Sequence, residues 1–238
     1  MPPNSMPFQR KVKSQSAVTL VGGGSFGARD LAHALVLAPY LVAADGGANR
    51  LLALNAAPRA VIGDLDSINA QARAAFSAQL VHVPAQDDTD FDKCLAVLDA
   101  PFIIGLGFVG ARMDHGLAVL AGLLRRPDLP VFLLGGRDVI FLAPPRLSLN
   151  LPRGARVSLF PFGAVTGHST GLDWPIGGIN FAPDAAIGTS NRASGGQVTL
   201  EFSARKMLVI LPRAYLKSAL MGFGFAPIVA PQAPVRAE

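Results

Sequence analysis

Six aspartates crowd into two neighbouring motifs, GDLDS (Gly63–Ser67) and QDDTDFDK (Gln86–Lys93): Asp64, Asp66, Asp87, Asp88, Asp90 and Asp92. Carboxylates brought together repel, so such a cluster is costly without a cation. Oxygen ligands in these numbers suit a hard cation, and Mg²⁺ on a polyphosphate is the combination they serve best. Asp64 and Asp66 are two residues apart, so in an extended segment both side chains point the same way, toward one ion. The alternative for that pair is an Asx-turn followed by a helix cap at Ser67. In the second motif Thr89 or Asp88 can cap a helix, and acids in the first turn favour its dipole. That explains two of the four acids, but not four. Asp90 and Lys93 are three apart, hence on one helical face, where a carboxylate for metal and an ammonium for phosphate would stand together.

Three further motifs carry candidate chemistry. ADGGANR (Ala44–Arg50) has Gly46 and Gly47 for a sharp turn, and Asn49 to cap a helix or, with Asp45, to contact a ribose or phosphate. GGGSFG (Gly22–Gly27) matches G-x-G-x-x-G between a strand and a helix, the dinucleotide fingerprint, and Asp45 follows about 20 residues later. A tight strand–helix turn is the competing reading. GFVGARMDHG (Gly107–Gly116) places Arg112 and Asp114 at another strand–helix junction. Arg112 suits bidentate phosphate contact, and a surface ion pair is the alternative. His115 is expected to start the helix.

The elements that must position these groups alternate. Strands are expected at Ala17–Val21, Tyr40–Ala44, Ala60–Ile62, Leu80–Val83, Phe102–Leu106, Pro130–Leu134 and Val139–Leu142. Helices fall at Ala28–Leu37, up to Leu54, at Asn69–Ala78, from QDDTDFDK onward, and up to Leu124. Each acidic motif follows a short apolar strand, and ligands of open α/β sheets bind beyond the carboxyl ends of the strands. From about Pro144 helical periodicity vanishes. Short runs at Leu147–Leu151, Ala155–Phe160, Val165–His168, Gln197–Phe202 and Met207–Ile210 alternate with Pro and Gly turns. The expected fold is therefore an α/β domain with a largely parallel sheet (17–143), then an all-β, sandwich-like domain (144–225). Tails are expected at 1–16 and 226–238. GTSNRASGG (Gly188–Gly196) is expected to be a polar loop, and Trp174 in GLDWPI to sit in a core.

Composition narrows the classes. The 238 residues are 50% hydrophobic and 16% charged, as in a globular protein with an ample core. Fourteen of the 16 acids are Asp and two are Glu, a bias toward carboxylates on loops and caps. The net charge of +5 is spread along the chain with few aromatics interleaved, which disfavours a nucleic-acid interface and suits a basic field around an anionic small substrate. The apolar region Leu31–Ala44 is broken by His33, Pro39 and Tyr40, short of the roughly 20 apolar residues of a membrane span. The single cysteine, Cys94, excludes an internal disulfide and fits a reducing, cytoplasmic setting, with packing as its expected role.

Taken in order, DGGANR (Asp45–Arg50), GDLDS, QDDTDFDK, GARMDH (Gly110–His115), GLDWP (Gly171–Pro175) and SN (Ser190–Asn191) resemble the thiamine pyrophosphokinase (thiamine diphosphokinase) family over about Ala17–Leu211. The resemblance implies transfer of the β,γ-diphosphate of ATP to the hydroxyethyl group of thiamine, with release of AMP. It implies Mg²⁺ on Asp64, Asp66 and Asp90, phosphate contacts from Lys93 and Arg112, and Asp114 in the same cluster. ATP would meet Asp45, Gly46, Gly47, Asn49, Asp64, Thr89, Lys93 and Arg112. Gln86, Ser190 and Asn191 match positions lining the thiamine pocket, which in the family forms across a homodimer. The competing functions are a related diphosphotransferase acting on a hydroxymethyl pterin, a dinucleotide-dependent oxidoreductase built on Gly22–Gly27, and a non-catalytic nucleotide sensor.

Overall fold

A computed structural model describes residues 12–84, 88–110 and 112–226. In chain order the first half holds β1 (Val12–Lys13), β2 (Val18–Val21), α1 (Ala28–Leu37), β3 (Tyr40–Ala44), α2 (Gly47–Ala53), β4 (Ala60–Gly63), α3 (Ala70–Ala75), β5 (Leu80–His82), α4 (Asp90–Val97), β6 (Leu98–Asp99), β7 (Ile103–Leu106), α5 (Met113–Arg125), β8 (Val131–Gly135) and β9 (Asp138–Leu142). The second half holds β10 (Arg146–Leu151), β11 (Arg156–Pro161), β12 (Gly167–Thr170), β13 (Gly188–Arg192), β14 (Gly196–Phe202), β15 (Met207–Pro212) and α6 (Leu216–Gly222).

One ten-stranded sheet organises the molecule, in the order β13-β11-β15-β9-β8-β7-β2-β3-β4-β5. From β8 to β5 every neighbour is parallel. Strands β2, β4 and β7 are buried along their whole length and β3 all but its first residue, as expected of a sheet covered on both faces. The chain moves outward from β2 to β5, then returns to the other side of β2 as β7. That reversal makes the carboxyl ends of β2 and β7 the switch point of the sheet, where a crevice opens. From β8 onward the pairings are antiparallel, so the sheet continues past residue 144 through β9, β15, β11 and β13. A three-stranded sheet, β10-β14-β12, covers one face of this second half, with Leu147, Leu149, Val198 and Leu200 packed against Val157, Leu159 and Val209. This is the sandwich the Pro- and Gly-punctuated strands implied, built as an extension of the parallel sheet.

Several local expectations change. GTSNRASGG is not a loop: its first five residues form β13, antiparallel to β11 at the sheet edge. A helix, α6, follows the last strand, with Leu216, Ala219 and Leu220 buried. The helix expected over 69–78 ends at Ala75 and tightens into a 3₁₀ turn, Ser77–Gln79. Strand β12 begins at Gly167; Val165 instead bridges Phe181.

At Gly47, where α2 meets β2, an added Cβ would lie 2.0 Å from the carbonyl oxygen of Val21. Gly116 in α5 has open space around it. Gly47→Ala is therefore expected to destabilise the fold by about 3 kcal/mol through overpacking, and Gly116→Ala to stabilise it by about 0.5–1 kcal/mol through helix propensity. Urea unfolding checks both; equal midpoints for the two variants would contradict this packing.

Candidate active site

A cavity of about 360 Å³ opens at the switch point. Its walls are the turns after β2 (Gly22–Gly24), β3 (Gly46) and β7 (Gly107–Gly110), with Ser67, Asp90, Arg112 and His115 completing the rim. The glycines bring two backbones together. Gly24 N donates to Gly107 O at 2.9 Å, and a Cβ on Gly22 or Gly24 would lie 2.8 or 2.6 Å from that same oxygen. So Gly22 and Gly24 serve a turn-on-turn contact. At the N-terminus of α1, where a dinucleotide pyrophosphate would dock, the Asp30 carboxylate instead accepts from Gly27 N at 2.9 Å and pairs with Arg213 at 2.6 Å. An anion already occupies that end of the dipole, which removes the basis for the oxidoreductase reading.

Asp45, Asp64 and Asp66 each offer an oxygen within 4.8 Å of the others. Asp45 ends β3 in a left-handed conformation, φ 36°, and is fully buried. Gly63 makes room for it, since a Cβ there would lie 2.8 Å from the Asp45 Cβ. Asp45 Oδ2 accepts from Ser67 N at 3.1 Å, while Oδ1 has no partner among the described residues. Burial, with neighbouring aspartates adding to it, pushes the Asp45 pKa up to about 6. The GDLDS loop is not extended as the two-residue spacing suggested: Leu65 has φ 66°, and Asp64 Oδ1 accepts from Asp66 N at 3.3 Å, an Asx-turn. The turn still delivers both carboxylates to one place. Ser67 donates its hydroxyl to Asp66 Oδ1 at 2.9 Å, and Asn69, not Ser67, caps the next helix.

Lys93 reaches the cluster from α4. Its ammonium, 3% exposed, donates to Asp64 Oδ2 at 2.6 Å and to Asp90 Oδ1 at 3.2 Å. Burial favours the neutral amine, but the two carboxylates outweigh it and hold the Lys93 pKa above its ordinary value. The Lys93 hydrogen bond lowers the Asp64 carboxyl. For Asp90, burial wins over Lys93 and raises it. Asp90 stands beside Lys93 on the cavity wall, outside the tight trio of oxygens, and Asp45 takes the third place there that sequence reasoning gave to Asp90. The signal for Asp45 was available: an aspartate ending a buried parallel strand at the carboxyl edge.

Other expected contacts have structural partners. Asn49 does not cap α2; it clamps the acidic loop, donating to Ser67 O at 2.9 Å and accepting from Asn69 N at 3.0 Å. Thr89 caps α4, accepting from Asp92 N at 3.2 Å and donating to Asp92 Oδ2 at 2.7 Å. Arg112 and Asp114 form an exposed pair at 2.6 Å, which holds the Asp114 carboxyl down at about 2; Arg112 still lines the cavity. Gly46 also lines the cavity, whereas Gly47 is taken up by its contact with β2. Gln86 lies outside the described residues.

Ser190 and Asn191 lie elsewhere. They line a second cavity of about 350 Å³ with Trp174 and Ile187. Asn191 is buried and holds the Trp174 backbone, accepting from its N at 3.3 Å and donating to its O at 2.7 Å. Trp174 is not a core residue: it is 53% exposed, with the Arg192 guanidinium 4.8 Å above its ring. Five strand-to-strand steps separate β13 from β7, roughly 24 Å along the sheet.

Residues 31–133 match the family model described as thiamin pyrophosphokinase, catalytic domain. Thiamin pyrophosphokinase 1 of Caenorhabditis elegans is 30% identical over 187 residues, covering 70% of this chain and 76% of that protein. Thiamine pyrophosphokinase 3 of Oryza sativa subsp. japonica is 29% identical over 185 residues, covering 63% and 69%. In fold, the chain resembles thiamin pyrophosphokinase from Candida albicans, with a TM-score of 0.73 at 18% identity over 87% of this chain and 94% of that one. The yeast thiamin pyrophosphokinase structure gives 0.70 at 17% identity, over 91% and 95%. The acidic loop, the buried lysine and the β3 and β7 turns of the cavity all fall inside the matched span, and with a relative 30% identical over more than two thirds of each protein the chain belongs to the thiamin pyrophosphokinase family.

Proposed function

We propose that this chain transfers the diphosphate of ATP to the hydroxyl of thiamine, giving thiamine diphosphate and AMP. The observation that carries the reading is Lys93, a buried ammonium fixed between Asp64 and Asp90 at the edge of a cavity on the sheet's switch point. Diphosphate transfer needs positioning and charge neutralisation more than covalent help from the protein. Lys93 and Arg112 supply positive charge for the phosphates, and the glycine-walled cavity admits the nucleotide. Asp64 and Asp66, joined by Asp45 with Asp90 alongside, would hold Mg²⁺; the unpartnered buried Oδ1 of Asp45 fits a cation ligand. Bound there, the ion neutralises charge on the triphosphate. Asp90 is better placed than Asp64 to accept the thiamine hydroxyl proton. Both Asp64 oxygens are already engaged, whereas one Asp90 oxygen serves Lys93 and its carboxyl is raised by burial.

The acceptor side rests on Gln86 and on the β13 cavity with Ser190 and Asn191. That cavity is too far along the sheet to meet the nucleotide cleft of its own chain. A homodimer, in which the β-rich part (144–225) of one copy faces the α/β part (17–143) of the other, would bring the two together, and half-exposed Trp174 and Ile187 suit burial there. Among the described residues no helix is long and apolar enough to cross a membrane, and the one thiol, buried Cys94, suits the reducing cytoplasm.

Incubated with ATP, Mg²⁺ and thiamine, the protein is expected to yield AMP and thiamine diphosphate in equal amounts by chromatography; ADP with thiamine monophosphate, or no thiamine-dependent turnover, overturns the reading. Asp66→Asn and Lys93→Met are expected to lower kcat/KM by about 10²–10³-fold with the circular-dichroism spectrum unchanged, and normal turnover in Asp66→Asn would remove it from the metal set. The Asp45 carboxyl gives a pH test. Its pKa is raised from 3.8 to about 6, so the unfolded chain loses this proton first. The group therefore lowers metal-free stability as pH rises from 3.8 toward 6, by about 3 kcal/mol above that range. Mg²⁺ relieves the cost only where Asp45 is ionised. Mg²⁺ is thus expected to raise Tm more at pH 7.5 than at pH 5, and Asp45→Asn to raise metal-free Tm at pH 7.5 while losing most of the Mg²⁺ increment. Equal increments at both pH values would contradict this assignment.

A further inference from the structure

The fourth acid of QDDTDFDK is not spent on the cluster. Asp92 points away from it, toward the last turn of α5, where Arg125 grips its carboxylate. Arg125 Nη2 lies 2.6 Å from each of Asp92 Oδ1 and Oδ2, and Nε lies 3.1 Å from Oδ1. The Asp92 side chain is 11% exposed and that of Arg125 54%. A forked guanidinium on a mostly buried carboxylate fixes both position and orientation. Each partner also sits favourably for its own helix, the acid in the first turn of α4 and the base in the last turn of α5.

Two neighbouring features fit the same contact. Gly122 of α5 lies directly under it: an added Cβ would stand 2.8 Å from Asp92 Oδ1 and 3.0 Å from Phe91 Cδ1. The glycine lets the two helices close on one another. Phe91 in turn meets Phe108 edge-to-face, with ring centroids 5.0 Å apart, and Phe108 belongs to the cavity wall. The first turn of α4 is therefore held on one side by Thr89 and on the other by Arg125, Gly122 and Phe108. On the remaining face of that turn, Lys93 links Asp90 to Asp64.

We propose that the Asp92–Arg125 pair is a brace that positions Lys93 and Asp90 for the phosphates of ATP, so that Arg125, over thirty residues away in sequence, is a positioning residue for the reaction. The inference rests on the reading of Lys93 as a phosphate ligand. Asp92 lies outside the Asp45, Asp64 and Asp66 trio and does not line the cavity. A small displacement of Lys93 is enough to weaken its contact with a phosphate oxygen.

The test is a double-mutant cycle with Arg125→Gln, Asp92→Asn and the double variant, each read by steady-state kinetics. Both single variants are expected to lose about tenfold in kcat/KM for ATP, and the double variant no more than either, because the two act as one unit. The KM for thiamine and the Mg²⁺ half-saturation are expected to stay at wild-type values. Arg125→Lys, which keeps the charge but not the fork, is expected to recover activity only in part. Asp138→Asn, which removes the surface pairing with Arg156, serves as a control for lost stability and is expected to keep wild-type kcat/KM. Wild-type kcat/KM for ATP in either single variant, multiplicative losses in the double variant, or an equal loss in the Asp138→Asn control would overturn the brace. A tenfold rise in Mg²⁺ half-saturation for Asp92→Asn would make Asp92 a metal ligand instead. Should the wild-type protein not turn over thiamine, calorimetric binding of Mg²⁺·ATP reads the same variants: about tenfold weaker binding supports the brace, and unchanged binding refutes it.

Discussion

A single ammonium makes the candidate site compatible with folding. Neighbouring aspartates lie close enough to Asp45 and Asp90 to raise the cost of ionising both, and Asp45 is fully buried. Without compensation such a group would protonate or push the loops apart. Lys93 offsets part of that repulsion, and it is held so firmly by Asp64 and Asp90 that its pKa rises despite burial. The compensation is incomplete, as the raised Asp45 and Asp90 carboxyls record. The uncompensated part is what the proposed Mg²⁺ would neutralise.

The second constraint is steric. Three parallel strands end side by side, and their following turns must pack closely while leaving a cavity. Glycine meets this at the points of nearest approach: Gly22 and Gly24 against Gly107, Gly47 against Val21, Gly63 against Asp45. Only Gly107 among these has a positive φ, so it alone is required for its dihedral angles as well as its size. The others are present because any side chain would occupy the space of a neighbouring backbone or of the Asp45 carboxylate. The same logic recurs at Gly122 beneath Asp92. At Gly63 and Gly122 a missing side chain makes room for a carboxylate; at the others it sets the distance between two backbones.

This explains what could be read from the sequence and what could not. The alternation of strand and helix through Leu142 was legible because each element follows its own period of apolar residues. The acidic motifs were legible because carboxylates at that density have few structural uses. What escaped were facts of tertiary contact. Thr89 was legible as a cap, but the role of Asn49 depends on Ser67 and Asn69, and an amide in a turn looks the same from sequence whether it faces ligand or backbone. That Asp45 joins Asp64 and Asp66 was not read, although an aspartate at the carboxyl edge of a buried strand offered the signal; the room Gly63 leaves for it against the GDLDS loop is visible only in the fold. β13 was read as a loop because its composition, Gly-Thr-Ser-Asn-Arg, has one β-branched residue and no aromatic among turn-forming ones, and its pairing with β11 overrides that preference. Trp174 was expected inside because of its size, whereas Arg192 covers only one face of its ring and the rest stays open.

The continuous sheet has a consequence for how the two cavities work together. Because β9 pairs with β8 on one side and β15 on the other, the β-rich half is joined to the parallel half through backbone hydrogen bonds. Hinge closure between two such halves would break a sheet ladder. The β13 cavity therefore cannot swing over the switch-point cavity of its own chain, and the roughly 24 Å between β13 and β7 is fixed by strand spacing. If both cavities serve one reaction, the second must come from another copy. Ten strands in one sheet make each half a rigid platform for that copy, and the exposed Trp174 and Ile187 lie at the sheet edge farthest from the switch-point cavity. The separation within one chain is thus the geometric reason for proposing that the acceptor and the nucleotide meet between two.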